Sequence, residues 1–432
     1  MTILAHKIAL DPTPSQRVAL AKAAGCSRVA YNWGLATWNK QYEMSLVEEA
    51  VLKPTGASIR KLWNSKKHGL FPFLAESPKD ANIEALYDLE AAQKAFFRGT
   101  ARKPKFHKKG KNAPSFGVSN DKFRCEGRKV RLPVIGWIKT REKLRFNGKI
   151  LSGRVTCKQG RWFISVQVEL SEKHTHPEAP EGSIVGVDLG VLTLATLSNG
   201  QVFENPRALK SQQQRLHRAE LSIARKRRSA DKRLGKQKKG ERREPSKRLS
   251  REYRRIAKVH AKVSAIRRDA VHKATTIIAK SFQTLVIEDL NVRGMTRRAR
   301  GRGRAAKAGL NRSILDAAFG EFRRQIDYKV PMYNGLVIKA GRFYPSSKKC
   351  SRCGDVKHNL KLQDRLFRCT CCGQWINRDL NAAINLETVG LTAYARGHCV
   401  KPIPAMAGGG SGGNSGNTER NVKSGVSSLE FT

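Results

Sequence analysis

The apolar and polar positions of residues 3–10, ILAHKIAL, predict a short strand at the start of the chain. Thr13 and Pro14 follow as N-cap and first position of a helix that continues through Gln16, Val18, Leu20 and Ala21. Large apolar residues then recur at helical spacings to about Arg98, among them Trp33, Trp38, Leu46, Leu62, Trp63, Leu70, Leu86 and Phe96, with breaks at Pro54, Pro72 and Pro78. Their size and spacing assign them to a core. Across 113–170 the pattern becomes that of strands: KVRLPVIGW, LRFNGKILSGRVTCKQ and RWFISVQVEL, separated by Asn-Gly and Gln-Gly turns. A small β-barrel is expected there. The first strand has no partner nearby in sequence, so it is expected to join this barrel, with the helical block as an insertion. Pro177 and Pro180 mark a linker.

Residues 183–203, SIVGVDLGVLTLATLSNGQVF, predict a β-meander with a type I′ turn at Asn199-Gly200, and TLVIEDL (284–290) predicts a further strand. Between them lies a helix-permissive stretch interrupted by Gly235, Gly240 and Pro245, which predicts two long helices over about 207–280 joined by a flexible basic segment. A last helix carries Leu380, Ala383, Ile384 and Leu386. The Gly/Ser-rich sequence after Met406 is too poor in apolar residues to offset its ordering entropy, so a disordered tail is expected over 399–432.

Charge decides the class of partner. The 432 residues carry 84 Lys and Arg against 35 Asp and Glu, a net charge of +49, far beyond what solubility asks. Residues 207–268 alone hold 24 Lys and Arg against 5 acids. The segment Gly99 to Asn112, GTARKPKFHKKGKN, sets Phe106 among cations, a composition that can track a phosphate backbone and stack one base. No apolar run approaches the ~20 residues of a spanning helix, so nucleic acid is favoured over membrane. The N-terminus lacks the apolar core and cleavage site of a signal peptide, which predicts a cytoplasmic protein.

Three acidic positions stand out. Asp188 ends an apolar strand, where a bare carboxylate costs several kcal/mol unless something neutralises it. Glu288 and Asp289 end another, and period-2 geometry sends them to opposite faces, so only one can join Asp188. The residues alone leave that choice open. Asp379 begins the last helix, where an ordinary N-cap is the bland alternative. Strand-acid with meander, long helices, strand-acid and a late helix-borne acid is the order of an RNase H-like fold. There three carboxylates hold two Mg²⁺, or Mn²⁺, for in-line phosphodiester hydrolysis.

Four cysteines have metal-ligand spacing: Cys350 and Cys353 in CSRCG, Cys369 and Cys372 in CTCCG, each pair followed by a glycine. One structural Zn²⁺ is expected, because four thiolates leave no open position for substrate. Cys371 is an extra thiol, and Cys26, Cys125, Cys157 and Cys399 read as core or surface residues.

Taken in order, PTPSQ, GCSRVAYNWGL, LPVIGWIKT, GVDLG, VIEDLNVRGM, FYPSSKKCSRCG, the second knuckle and NRDLNAAINL make the chain resemble the transposon-encoded TnpB nucleases, compact relatives of the type V CRISPR effectors. The resemblance implies catalytic, Mg²⁺-binding roles for Asp188, Glu288 and Asp379, and so selects Glu288 over Asp289. It implies zinc at Cys350, Cys353, Cys369 and Cys372. Asn377 stands where many members have Asp. It further implies an RNA-guided endonuclease, with a guide RNA from the transposon end and double-stranded target DNA cut beside a short transposon-adjacent motif. In such enzymes base pairing reads the sequence and the protein reads backbone and motif. A nuclease-inactive RNA-guided repressor and an unguided structure-specific nuclease are the alternatives. The implied architecture is α+β and multidomain. Residues 1–11 and 113–180 form a wedge β-barrel with linker, and 12–112 a helical recognition insertion. Residues 181–346 and 376–398 form a RuvC/RNase H-like nuclease domain interrupted by a zinc ribbon at 347–375.

Overall fold

The structure, a computed structural model, describes residues 2–170, 179–235, 243–299, 303–360 and 364–395. Pro177, Gly240, Cys399 and the expected tail 399–432 lie outside them. The chain opens with strand β1 (Thr2–Asp11), then helices α1 (Pro14–Val47), α2 (Gly56–Leu70) and α3 (Lys79–Phe97), with a 3₁₀ turn at Pro72–Glu76. Thr13 starts α1 as a capping box: its hydroxyl accepts the Gln16 N–H at 3.3 Å while the Gln16 side chain accepts the Thr13 N–H at 3.0 Å, a pairing that contributes ~1 kcal/mol. The breaks between helices fall at Pro54, Pro72 and Pro78, where a proline nitrogen cannot donate. Trp63 is fully buried among Leu35, Ile59, Leu86 and Leu89, and its indole N–H donates to Asn82 Oδ1 at 2.9 Å.

Six strands follow: β2 (Ser115–Ser119), β3 (Arg124–Glu126), β4 (Lys129–Leu132), β5 (Gly136–Thr140), β6 (Lys149–Lys158) and β7 (Arg161–Leu170). With β1 they form a seven-stranded sheet in the order β2-β6-β7-β1-β5-β4-β3. β1 pairs antiparallel with β7 over Thr2–Ala9 and passes to β5 at Leu10 and Asp11. The sheet curls around one core that contains Ile8, Phe116, Phe123, Val130, Ile138, Ile164 and Val166.

The expected barrel is not closed. Four residues of chain link β2 to the start of β3, yet the two edge strands share no ladder. Helix α3 covers the β2 edge instead: Asp80 Oδ2 accepts the Ser119 N–H at 3.1 Å, and Asp88 takes both terminal nitrogens of Arg154. An edge capped in this way needs no seventh ladder to shield it from water or from other chains.

The second sheet has the order β10-β9-β8-β11-β12. It is built from β8 (Ile184–Asp188), β9 (Thr193–Leu197), β10 (Val202–Glu204), β11 (Thr284–Glu288) and β12 (Leu336–Ala340). β8, β9 and β10 are antiparallel neighbours, whereas β8, β11 and β12 run parallel. The long helices α4 (Ala208–Leu234) and α5 (Lys247–Ser281) connect β10 to β11, and α6 (Val292–Met295), α7 (Arg304–Ala317) and α8 (Phe319–Met332) connect β11 to β12. The small hairpin of β13 (Leu366–Arg368) and β14 (Trp375–Asn377) leads directly into α9 (Arg378–Ala395).

The turn at Asn199-Gly200 is not type I′. Only Gly200 has a positive φ, +87°, and the Leu197 carbonyl accepts the Gly200 N–H at 3.0 Å. The loop is therefore a three-residue turn closed by a left-handed glycine. The Asn199 side chain accepts the Gln201 N–H at 3.0 Å, the bond of an Asx turn. The two-residue loop with both φ positive lies instead at Gln159 (+52°) and Gly160 (+78°), between β6 and β7. No helix among the described residues is long and apolar enough to cross a membrane.

Candidate active site and cysteine knuckle

Asp188 and Glu288 end two adjacent parallel strands, β8 and β11, whose register pairs Val187 with Ile287. Both strands are interior: Val185, Val187, Leu285 and Ile287 face one core and Val286 faces another. The third acid arrives on α9, which lies against β8. A Cβ on Gly186 would stand 1.9 Å from the Ala383 carbonyl, so only glycine lets the helix backbone approach this closely. Asp379 in the first turn of α9 thereby reaches the ends of the two strands.

The N-cap of α9 is not Asp379 but Asn377, whose Oδ1 accepts the N–H groups of Asp379 (2.9 Å) and Leu380 (3.2 Å). The Asp379 carboxylate is not spent on capping. Burial pushes the Asp188 carboxyl well above the usual range, the nearby Glu288 and Asp379 carboxylates add to the rise, and Arg378 offsets it in part. The three predicted acids thus come together, and like charges crowd there in a poorly solvated place. Asp289 goes elsewhere: it pairs with Arg323 at 2.8 Å and Arg342 at 3.1 Å, and the Arg323 hydrogen bond holds its carboxyl below the ordinary value.

Oxygen donors that repel one another and lack a full counter-charge fit hard divalent cations. Among the described residues the three acids do not form a set whose ligand oxygens all lie within 4.8 Å of one another.

The sulfurs of Cys350, Cys353, Cys369 and Cys372 all lie within 4.8 Å of one another, with Cys350 to Cys372 at 3.6 Å and Cys353 to Cys369 at 3.5 Å. Thiolates each ~2.3 Å from one tetrahedral ion stand roughly 3.8 Å apart, so the set is compatible with a structural Zn²⁺. Gly354 (φ +82°) and Gly373 (φ +70°) make the knuckle turns, and the Cys372 backbone N–H, with that of Cys371, holds the Cys369 thiol down to about 7. The Cys371 side chain is exposed and outside the set. Cys26 is buried, and Cys125 and Cys157 pack against the first sheet's core.

Some site features escaped sequence reading. Ser346 donates its hydroxyl to Glu288 Oε1, and Asn381 and Asn385 are almost wholly buried on α9. Two asparagines one turn apart inside NAAIN, on a helix otherwise patterned for a core, were the available signal. The basic segment 99–112 is docked rather than loose: Asn32 bonds both the N–H (2.7 Å) and the carbonyl (2.9 Å) of His107, and the His107 ring stacks on Tyr31 at 3.9 Å. Phe106 beside it is 48% exposed.

Three family profiles match the chain: one described as "Probable transposase" over residues 164–299, one as "Cas12f1-like, TNB domain" over 319–386, and one as "Helix-turn-helix domain" over 1–45. The last description departs from the structure, in which residues 14–47 are a single helix. "Putative RNA-guided DNA endonuclease InsQ" of Escherichia coli is 34% identical over 92% of this chain and 94% of its own length. A relative from Streptomyces pristinaespiralis whose name also describes an RNA-guided DNA endonuclease is 30% identical over 92% of each chain. TnpB-like protein L79 of Acanthamoeba polyphaga mimivirus is 28% identical over 34% of this chain and 28% of its own. The solved structure of CasPhi-2 (Cas12j) bound to crRNA and phosphorothioate-DNA aligns over 91% of this chain and 92% of that one, at 12% identity and a TM-score of 0.37. With relatives this similar from end to end, the chain belongs to the transposon-encoded TnpB family.

Proposed function

We propose that this protein is an RNA-guided DNA endonuclease that hydrolyses phosphodiester bonds at Asp188, Glu288 and Asp379, next to a short transposon-adjacent motif in double-stranded target DNA. The observation that carries this reading is the convergence of three acids, from positions 188, 288 and 379, on a desolvated Asp188. The names borne by full-length relatives support the guided part of it. Two Mg²⁺ ions, or Mn²⁺, held by these carboxylates would supply the Lewis acidity for in-line attack and for the leaving oxygen.

The chain's own residues do the rest. β8 and β11 fix two carboxylates side by side, and α9 brings the third over them. Arg323 and Arg342 hold Asp289 away from the cluster. Cations along α4, α5 and the docked 99–112 segment grip the backbones of guide RNA and target. On this reading the first sheet is the wedge, α1 to α3 the recognition insertion, and the second sheet with α4 to α9 a RuvC-like nuclease domain carrying a zinc ribbon. Its place of work would be the prokaryotic cytoplasm, at the nucleoid.

Purification followed by sequencing of bound RNA tests the proposal. A defined RNA should accompany the protein, and a duplex matched to its variable end should be cut in Mg²⁺. Equal cutting of matched and unmatched duplexes, or by RNA-free protein, would overturn the guided mechanism.

A further inference from the structure

Glu288 does not stand alone at the end of β11. Ser346, 3% exposed, donates its hydroxyl to Glu288 Oε1, and its own carbonyl accepts from Asn385 Nδ2 at 2.7 Å. The same Asn385 amide donates to the Lys349 carbonyl at 2.7 Å, which also accepts from Asn381 Nδ2 at 2.7 Å. Asn381 Oδ1 in turn accepts the Ser351 N–H at 3.0 Å. Lys349 and Ser351 flank Cys350, one of the four converging thiols.

Asn381 and Asn385 are 0% and 2% exposed and lie one turn apart on α9, two and six residues beyond Asp379. Buried amides cost free energy unless bonded, and all the bonds named here cross to the 346–351 segment. This polar seam therefore joins the strand of Glu288, the helix of Asp379 and the cysteine knuckle into one unit. We propose that Ser346 is a positioning residue for Glu288, and that Asn381 and Asn385 tie it to the knuckle, so that metal at the four cysteines sets the affinity of the carboxylate cluster for divalent cations.

The inference rests on the reading of Asp188, Glu288 and Asp379 as a metal site. Its test is Mn²⁺ binding to the full-length protein, followed by electron paramagnetic resonance, with zinc content and melting measured in parallel. Ser346→Ala should weaken Mn²⁺ binding about tenfold, the usual effect of losing one hydrogen bond to a charged group, and Ser346→Thr should recover most of it. Removing zinc from the wild type should cause a similar loss. Zinc removal from Ser346→Ala should add little, because both changes break one path. Additive losses, or unchanged Mn²⁺ binding by a zinc-replete, folded Ser346→Ala protein, would overturn the proposal. Should Ser346→Ala fail to fold, Ser346→Cys, similar in size but a weak donor, must show the same weakening. Asp188→Ala separates the two levels: if it leaves Mn²⁺ binding intact, the metal-site reading fails and the seam's role with it. If it abolishes binding while Ser346→Ala does not weaken it, the seam's role alone is lost.

Discussion

At Asp188, burial and two neighbouring carboxylates act in the same direction, favouring the protonated form of the folded protein. With the folded value raised above the unfolded one, the contribution of Asp188 to the stability of the metal-free protein is greatest at low pH. That contribution should fall as pH climbs from about 3.9, the unfolded value, through the folded one, by about 1.4 kcal/mol for each unit of separation. Asp188→Asn removes this dependence, so in Mg²⁺-free buffer its melting temperature should exceed that of the wild type at neutral pH, with a gap that closes toward pH 4. Thermal melts across pH check this, and a gap that widens on acidification would refute the electrostatic account. The same site makes a functional prediction: Asp188→Ala, Glu288→Ala and Asp379→Ala should each abolish Mg²⁺-dependent cleavage while RNA and target binding stay near wild type. Asp289→Ala is the control, since its partners are Arg323 and Arg342. It should lose little stability and keep cutting. Loss of cleavage in Asp289→Ala but not in Glu288→Ala would exchange their roles.

Among elements, α9 matters most to the geometry of the site, and its place depends on a glycine in a strand. A methyl at position 186 would overlap the Ala383 carbonyl and approach the Glu387 nitrogen, both backbone atoms that cannot swing aside. Gly186→Ala should therefore displace α9 and with it Asp379, at a cost of about 1–3 kcal/mol for overpacking. Cleavage should fall by at least a hundredfold with the four cysteines still binding zinc, as metal analysis and single-turnover assays can show. Wild-type rates in that variant would mean that the close approach is not needed. The motif GVDLG announced a turn and an acid, but the reason for its first glycine lies on a helix almost two hundred residues later. The open edge of the first sheet has a similar origin. The strand patterns of 113–170 predict a closed barrel, whereas α3 covers the β2 edge, with Asp80 bonded to Ser119 of β2 and Asp88 to Arg154 of the neighbouring β6.

For the whole molecule, charge sets affinity. In the stretch 207–268 only Lys226, Arg243 and Arg267 pair with a carboxylate among the described residues, which leaves most of its cations for phosphates. Binding of RNA should weaken steeply with salt, with a log-log slope of roughly −0.7 to −0.9 per phosphate neutralised, and a nearly flat titration would count against phosphate contacts as the source of affinity. Composition alone pointed to a polyanion as the partner, because net charge is a sum that folding does not change. Short-range rules also made the helix start at Thr13, the strands ending at Asp188 and Glu288, and the two knuckles legible, since caps, strand periodicity and metal-ligand spacing act over a few residues. The tertiary structure decided what depends on contacts between distant segments. It placed Glu288 beside Asp188 and paired Asp289 with arginines, passed the capping of α9 to Asn377 so that Asp379 stays available, and left the first sheet open. Ser346, Asn381 and Asn385 belong to that second class, because a hydrogen bond between residues far apart in sequence leaves no periodicity behind and exists only once packing has brought its two ends together.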